Sequence, residues 1–428
     1  MTNATILKHL RHNVTVNLID AAFFGSALGF ASFVTIIPLY VSTLTDSTIL
    51  IGLIPAIHSV GWQLPQLFTS RRVSRQARFL PMVLLMTTQE RLPFLFLAIL
   101  ALLAPRLPLD LVLGLVFLLL IWQGLGGGFT AGAWQSMIGK IIPADRRGTF
   151  FGTQSASANA LASVAAVLAG LLLSQLDSPL DFALCFFLAF LAMAISWFFL
   201  ASTRETAHHL PAPPKTASAY WNGIGEILHR DRNFRWFLAV RMLSQFAMMG
   251  TAFYTVYAVN QLGMSEVIVG LLTGALMATQ IIANPVMGWL GDRYSYRWVM
   301  LAGILAAVAS ALLAWWAPTP SWFFPVFILA GIANVAIWTI SLAMIQEYGS
   351  EVQRPAYIGL ANTLIAPATI IAPLLGGWLA GVAGYAAAFI ASAAFGLFTA
   401  ALLYFSVQDP PRLSQAEESP APIASLSD

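Results

Sequence analysis

Charge is what this sequence has least of. Asp, Glu, Lys and Arg together make up 9% of the residues and hydrophobic residues 58%. A soluble domain carries about 25% charged residues. Water is therefore not the main solvent of this chain, and a soluble globular fold is excluded. The net charge of +3 is small and the bases are scattered over short polar stretches, which argues against nucleic acid as a partner. Cysteine is almost absent. Cys185 stands alone inside an apolar run, so no intrachain disulfide and no cysteine metal site can form, and it reads as a small packing residue. Catalytic signatures are missing too. There is no Walker loop, no His-x-x-x-His pair and no Gly-x-Ser-x-Gly elbow. The expectation is a protein that is not an enzyme and carries no metal or cofactor.

What is present is a succession of apolar runs, each near the roughly 20 residues that a bilayer demands. They are Val14–Val41, Ile49–Phe68, Phe79–Leu103, Leu109–Ile142, Phe150–Leu176 and Phe182–Ser202, and after a polar stretch Trp236–Val259, Val267–Trp289, Trp298–Trp316, Trp322–Ile345, Tyr357–Val382 and Ala386–Val407. The sequence thus predicts an all-α membrane protein with about twelve transmembrane helices. The expected division is an N-terminal six-helix half (1–202), a linker (203–235), a C-terminal six-helix half (236–407) and a disordered tail (408–428) rich in Pro, Ser, Ala and Glu. The first run is too long for a signal-peptide core and is expected to be retained. Nearly all bases fall on one side: Lys8 and Arg11, Arg71 to Arg78, Lys140 to Arg147, the linker, then Arg293, Arg297, Arg354 and Arg412. Only Arg106 faces the other way. Positive charge stays inside, so both termini are expected in the cytoplasm of a cell (inner) membrane.

The two sets of runs repeat each other. Pro143–Gly152 follows run four and Ser350–Gly359 follows run ten. Aligned without gaps, Arg147 meets Arg354, Phe150 meets Tyr357 and Gly152 meets Gly359, and the same register pairs Gly124 with Gly331 and Gly170 with Gly377. Between runs eight and nine lies Gly288-Trp-Leu-Gly-Asp292-Arg293-Tyr-Ser-Tyr-Arg297. This Gly-x-x-x-Asp-Arg-x-x-x-Arg hairpin between two spans resembles the loop signature of the major facilitator superfamily of transporters, with Ser295 where the small residue is usually Gly. The equivalent first-half loop, Phe68–Arg78, offers only bases. Gln123–Gly128 resembles the tail of another family signature, with Leu120 in place of its arginine, and the Gly-Pro signature of drug/proton antiporters is missing from run five. The resemblance covers about Val14 to Val407 and stops at the superfamily. It implies two pseudo-symmetric halves around a central cavity, with spans one, four, seven and ten lining it, working by alternating access. The implied function is secondary active transport of a small-molecule solute by a monomer in the bilayer, with protons as coupling ion. The preferred reading is export of an amphipathic molecule; the alternatives are proton-linked nutrient uptake, or a non-transporting receptor or assembly partner on the same fold.

An ionised side chain at the bilayer centre costs about 2.5–3.5 kcal/mol, so charges there serve a purpose. Asp20 and Arg241, on corresponding helices, are expected to form the coupling pair, with His58, Glu90 and Arg91 as further candidates. Adjacent Glu90 and Arg91 cannot share a helix face and so should have different partners. Candidate cavity residues are Trp122, Gln123, Trp134, Gln135, Gln245, Tyr254, Asn334 and Trp338. Neighbours in sequence point apart, so about half of these face solute. At the cytoplasmic gate, the family loop places Gly288, Asp292, Arg293 and Arg297 against the start of span five near Gly148, beside Arg146 and Arg147. By analogy Arg72 would meet Glu351 near Arg354, a latch with its signs reversed.

Overall fold

The computed structural model describes residues 3–207, 217–264, 266–350 and 352–410, and every regular element among them is helical. Nine of the helices among the described residues are long and apolar enough to cross a bilayer. Three further spans are helices with a fault. Span one runs Asn3–Phe30, pauses, and resumes as Ile36–Ser42; Ser32 Oγ accepts the amides of Val34 and Thr35 in the pause. Span two is Thr48–Gln63 and Gln66–Val73, divided at Pro65, which has no N–H to donate. Span seven is Arg232–Ala247, a 3₁₀ turn Met249–Phe253, and Tyr254–Leu262. The intact spans are three (Leu80–Leu103), four (Leu109–Ile141), five (Arg147–Gln175), six (Leu180–Ala201), eight (Glu266–Arg293), nine (Tyr296–Trp316) and twelve (Tyr385–Ser406). Span ten (Phe323–Ile345) contains a π turn at Ala336–Ile340, and span eleven is Arg354–Thr363 followed by Ala366–Ala383. The polar stretch between the halves holds a helix of its own, Ala217–Arg230. Its buried face (Tyr220, Ile224, Ile227) joins the core at the end of the bundle where the chain termini lie, and the Tyr220 hydroxyl donates to Ser70 Oγ at 2.8 Å.

The internal repeat extends to individual hydrogen bonds. Asn13, on span one, donates to the carbonyl of Arg204 (3.0 Å) and accepts its amide (2.9 Å). Asn233, on span seven, does the same with Gln408 (2.8 and 2.7 Å). The next residue is an acid each time. Glu205 takes the free amides of Phe79 and Leu80 at the start of span three (3.0 and 2.7 Å), and Asp409 takes the Arg297 amide at the start of span nine (3.1 Å) and the Ser295 hydroxyl. Each half is thereby tied, last span to first span and to third, by one asparagine and one carboxylate.

Glycines set where the halves cross. A Cβ on Gly288 of span eight would stand 2.1 Å from the Gly148 carbonyl oxygen of span five, and one on Gly152 would stand 2.1 Å from that of Asn284. Across the other crossing, a Cβ on Gly359 of span eleven would lie 2.9 Å from Leu67 Cα of span two. Gly152 and Gly359 are the pair matched in the repeat.

Candidate transport site

The halves close on each other at the terminus-bearing end. Asp292 accepts the amides of Gly148 (2.7 Å) and Thr149 (2.6 Å), orphan donors of the first turn of span five, at the positive end of its dipole. Tyr296 donates its hydroxyl to the same carboxylate, which is 6% exposed. Arg147 and Arg354, matched in the repeat, share two carbonyls that fall in the same register, Gly139 and Gln346. Arg147 donates to Gly139 O (2.5 Å) and Gln346 O (3.3 Å), and Arg354 to the same two at 3.2 Å each. The symmetry ends with charge: Arg147 also pairs with buried Glu347 at 2.8 Å, whereas the position matched to Glu347 is Lys140, which pairs with Glu205. Arg146 is exposed beside Asp145, Arg293 lies over the rings of Trp289 and Tyr294, and Arg297 reaches Tyr404 within its own half. Arg72 is exposed, and Glu351 lies outside the described residues.

At the second crossing of the same end, the chain solves the Pro65 fault with a group from the opposite half. The Thr363 hydroxyl of span eleven accepts the Leu67 amide (3.1 Å) and donates to the Gln63 carbonyl (3.1 Å), the two groups an unbroken helix would join to each other. Its neighbour Asn362 donates to Gln66 (2.7 Å) and Gln135 (3.3 Å) of the first half.

Among first-half spans, and closed by Leu342 of span ten, lies a cavity of about 270 Å³ lined by Asp20, Glu90 and Arg91 together with Phe24, Trp62, Trp134 and Phe151. Here the structure corrects the expected pairing. Asp20 meets Arg91 at 3.5 Å, and both meet the Ser196 hydroxyl (2.6 and 2.8 Å). The guanidinium also donates to the carbonyls of Met193 and Thr87, fixing spans one, three and six together. Arg91 is long enough to reach span one from span three, whereas Arg241 belongs to the other half and turns towards span eleven. Glu90 forms no contact ion pair with Arg91 among the described residues, though both line the cavity and both touch Thr87. Its carboxylate has the Thr87 hydroxyl at 3.5 Å and lies against Gly127, which leaves it room, while Gly126 lets the backbone at Gln89 and Glu90 approach. The cavity thus holds two carboxylates and one guanidinium.

Arg241 is 1% exposed and no carboxylate pairs with it among the described residues. Its Nη1 donates to Ala361 O (3.0 Å) and Asn362 Oδ1 (3.2 Å), and its Nε and Nη2 are buried without a partner. Of the other expected residues, Trp134 lines the acid cavity and Gln135 holds Asn362. Gln123 bonds His58 at 3.0 Å between spans two and four. Trp122 is not a lining residue of that cavity: it stacks on Phe96 and donates to Gln89, along spans three and four. Tyr254 is sunk in an aromatic cluster with Phe323, Phe327 and Phe389, its hydroxyl taken by Ser310. Gln245 is buried against Ser244, and Asn334 and Trp338 are half-buried around the π turn of span ten. Sequence reasoning passed over Ser196, Asn362, Thr363 and Gln66. Small polar residues are cheap in apolar helices, and nothing in their spacing marks these as bridging the bundle.

These arrangements have company among known proteins. The Major Facilitator Superfamily model matches residues 90–265 and 241–428. Parts of the chain are similar to the vesicular acetylcholine transporter of Mus musculus (32% identical over 139 residues, 32% of this chain and 26% of that protein) and to multidrug resistance protein 1 of Bacillus subtilis strain 168 (30% over 159 residues, 37% and 41%). The matches therefore span only a quarter to two-fifths of these relatives. In fold the likeness is nearly complete. FucP, a transporter of this superfamily crystallised in the outward conformation, superposes with a TM-score of 0.75 at 15% identity, covering 93% of this chain and 99% of that one. A bacterial homologue of the iron transporter ferroportin, in an outward-facing state, gives 0.68 at 14% identity over 91% and 98%. With both halves matched and twelve helical spans in two pseudo-symmetric sets, the chain belongs to the major facilitator superfamily of multi-pass membrane transporters.

Proposed function

We infer that this transporter exports an amphipathic small molecule in exchange for protons, as a monomer in the cell membrane, with its termini in the cytoplasm. The observation that carries the reading is the charge count in the acid cavity. Arg91 serves Asp20 through a contact pair and a shared serine, and that pair is neutral as a unit. Glu90 is then a buried charge with one weak hydroxyl contact, in an aromatic chamber where an unpaired ion is costly. A proton removes that charge. A site with one removable charge next to a solute-sized chamber is what exchange requires. Rocking of the halves need not separate Asp20 from its cation, since Arg91 sits in the same half. It changes access to Glu90 instead, which takes the place given to Asp20 in the sequence reading. The closed end, held by Asp292, Arg147 and Thr363, is the cytoplasmic one in this reading, which makes the conformation outward-facing.

The test uses proteoliposomes with an imposed pH gradient and two fluorescent probes, ethidium and carboxyfluorescein. An acidic lumen should drive uptake of one probe into vesicles, and Glu90→Gln should abolish that uptake while sparing exchange at equal pH. Accumulation under the opposite gradient would turn the reading to proton-linked uptake. Gradient-independent flux would remove protons from the mechanism, and no flux of any solute would favour a receptor.

A further inference from the structure

We propose that Arg241, with Gln135, forms a carboxylate-binding site for the transported solute, filled when the closed end opens and emptied when it shuts. The inference rests on the transporter reading and names the class of solute, an organic carboxylate. Three observations point to it. The guanidinium is 1% exposed, linked to the first half through Asn362, and no acid pairs with it among the described residues. The nitrogens left without a partner are Nε and Nη2, one edge of the guanidinium fork, which matches the two oxygens of a carboxylate. A third orphan donor, Gln135 Nε2, belongs to the same network, because Gln135 Oε1 and Arg241 Nη1 are both held by the side chain of Asn362.

Those orphans are the kind of unmade bond that folded proteins avoid, and a buried cation with only a carbonyl and an amide oxygen beside it is a poor stabilising device. As a binding device it makes sense. Asn362 also donates to Gln66 of the first half, so the bonds that close the terminus-bearing end cover the guanidinium as well. When the halves part there, Arg241 is uncovered to that compartment and a carboxylate can complete its fork. When they close, Asn362 is drawn back across to Gln66 and Gln135, and the anion loses its place. Loading on the cytoplasmic side fits export.

The experiment is equilibrium binding to the purified full chain in nanodiscs, without any gradient. The probes are 4-phenylbutyrate and 4-phenylbutylamine, which share an apolar body and differ in charge, with phosphate and chloride as free-anion arms. Expected are saturable binding of the butyrate, none of the amine, and at least tenfold weaker butyrate binding in Arg241→Met. Gln135→Leu should weaken it severalfold with the fold intact, and Arg241→Lys, which keeps the charge but not the fork, should restore it only in part. Without ligand, Arg241→Met should be as thermostable as the wild type or more so, because it removes an uncompensated buried charge. Three results would overturn the proposal: no butyrate binding, equal protection by phosphate or chloride, or a lower melting temperature in Arg241→Met with butyrate affinity unchanged, which would make Arg241 structural. Because no pH gradient enters, failure of proton coupling at Glu90 leaves this site standing, and its own failure leaves the coupling standing.

Discussion

The two crossings between the halves are pseudo-equivalent and are built from different chemistry. Spans five and eight cross on Gly148 and Gly288 and are fastened by a carboxylate, Asp292, on two helix-terminal amides. Spans two and eleven cross on Gly359 and are fastened by a neutral hydroxyl, Thr363, set into a proline break, and by the amide of Asn362. The buried cations differ in the same sense. Arg91 of the first half has an acid, a serine and two carbonyls around it, whereas Arg241 of the second has one carbonyl and one amide oxygen. The comparison teaches that the repeat conserves backbone geometry and close approach while the ion chemistry is free to diverge. A rocking transporter needs both crossings to open together, and they can share that motion without sharing a fastening.

The largest expected contrast is between the two arginines. Arg91→Met strands Asp20 in an aromatic chamber, and breaking a buried pair by removing one partner costs about 3–5 kcal/mol. Arg241→Met strands no charge and takes a donor only from the Ala361 carbonyl and Asn362 Oδ1. Thermal unfolding of the two variants in the same detergent should show a large drop for Arg91→Met and none for Arg241→Met. Equal drops would erase the distinction drawn here between a paired and an orphaned cation. A smaller contrast concerns the glycines. Gly288→Ala puts a methyl 2.1 Å from a carbonyl oxygen of the other half, and Gly359→Ala puts one 2.9 Å from a Cα. Overpacking costs about 1–3 kcal/mol, and here it falls on the closed state alone. Spin-label distances across the terminus-bearing end should lengthen for both, and more for Gly288→Ala.

How far the sequence foretold this follows from what kind of signal each feature leaves. Apolar runs and Arg/Lys placement are written in composition, so the helical membrane fold and its repeat are readable from the sequence. The Gly288–Arg297 hairpin is a contiguous pattern, and it directed attention to Asp292 and the start of span five. The partner of a buried charge is written nowhere in one sequence. Asp20 looked paired with Arg241 because they occupy matching helices, yet side-chain reach and the bundle's packing give it Arg91. The Thr363 hydroxyl was invisible for a related reason: a proline predicts that a helix will break, and not what will mend it. Asn13 and Asn233 repeat each other in function but sit in unlike local sequences, so gap-free alignment of the loops did not pair them.

The two fastenings themselves give the next contrast. Asp292→Asn keeps an oxygen for one amide but loses the charge at the helix end, worth about 0.3–1 kcal/mol and up to roughly 2 when partly buried. Thr363→Val keeps the shape and leaves the Leu67 amide and the Gln63 carbonyl unpaired, which costs about 1–3 kcal/mol. Both should bias the protein open at the terminus-bearing end, seen as longer electron–electron resonance distances. Raising the salt concentration should change the latch little, since Asp292 and the Arg147–Glu347 pair beside it are both buried and buried charges are screened far less than exposed ones. An unchanged distance distribution in Asp292→Asn would reject the latch. Arg72→Ala, at an exposed base in the last helical turn of span two, should change nothing.

The smallest effect belongs to the asparagine clamps, where the halves are most alike. Asn13 and Asn233 each make two bonds to the backbone just beyond the last span of their half. Each neutral hydrogen bond contributes about 0.5–1.5 kcal/mol net, less where water can replace it. Asn13 is 2% exposed, while both bonds of Asn233 lie at an exposed site. Alanine at either position should therefore destabilise its own half, and Asn13→Ala more than Asn233→Ala. The clamp also sets the next residue, Glu205 or Asp409, over the start of the third span. Its loss should show locally as faster amide exchange at Phe79 and Leu80 in Asn13→Ala, and at Arg297 in Asn233→Ala, with little change in transport. Exchange that rises equally in both halves in either variant would mean that the halves unfold as one unit and that the clamps are not half-specific.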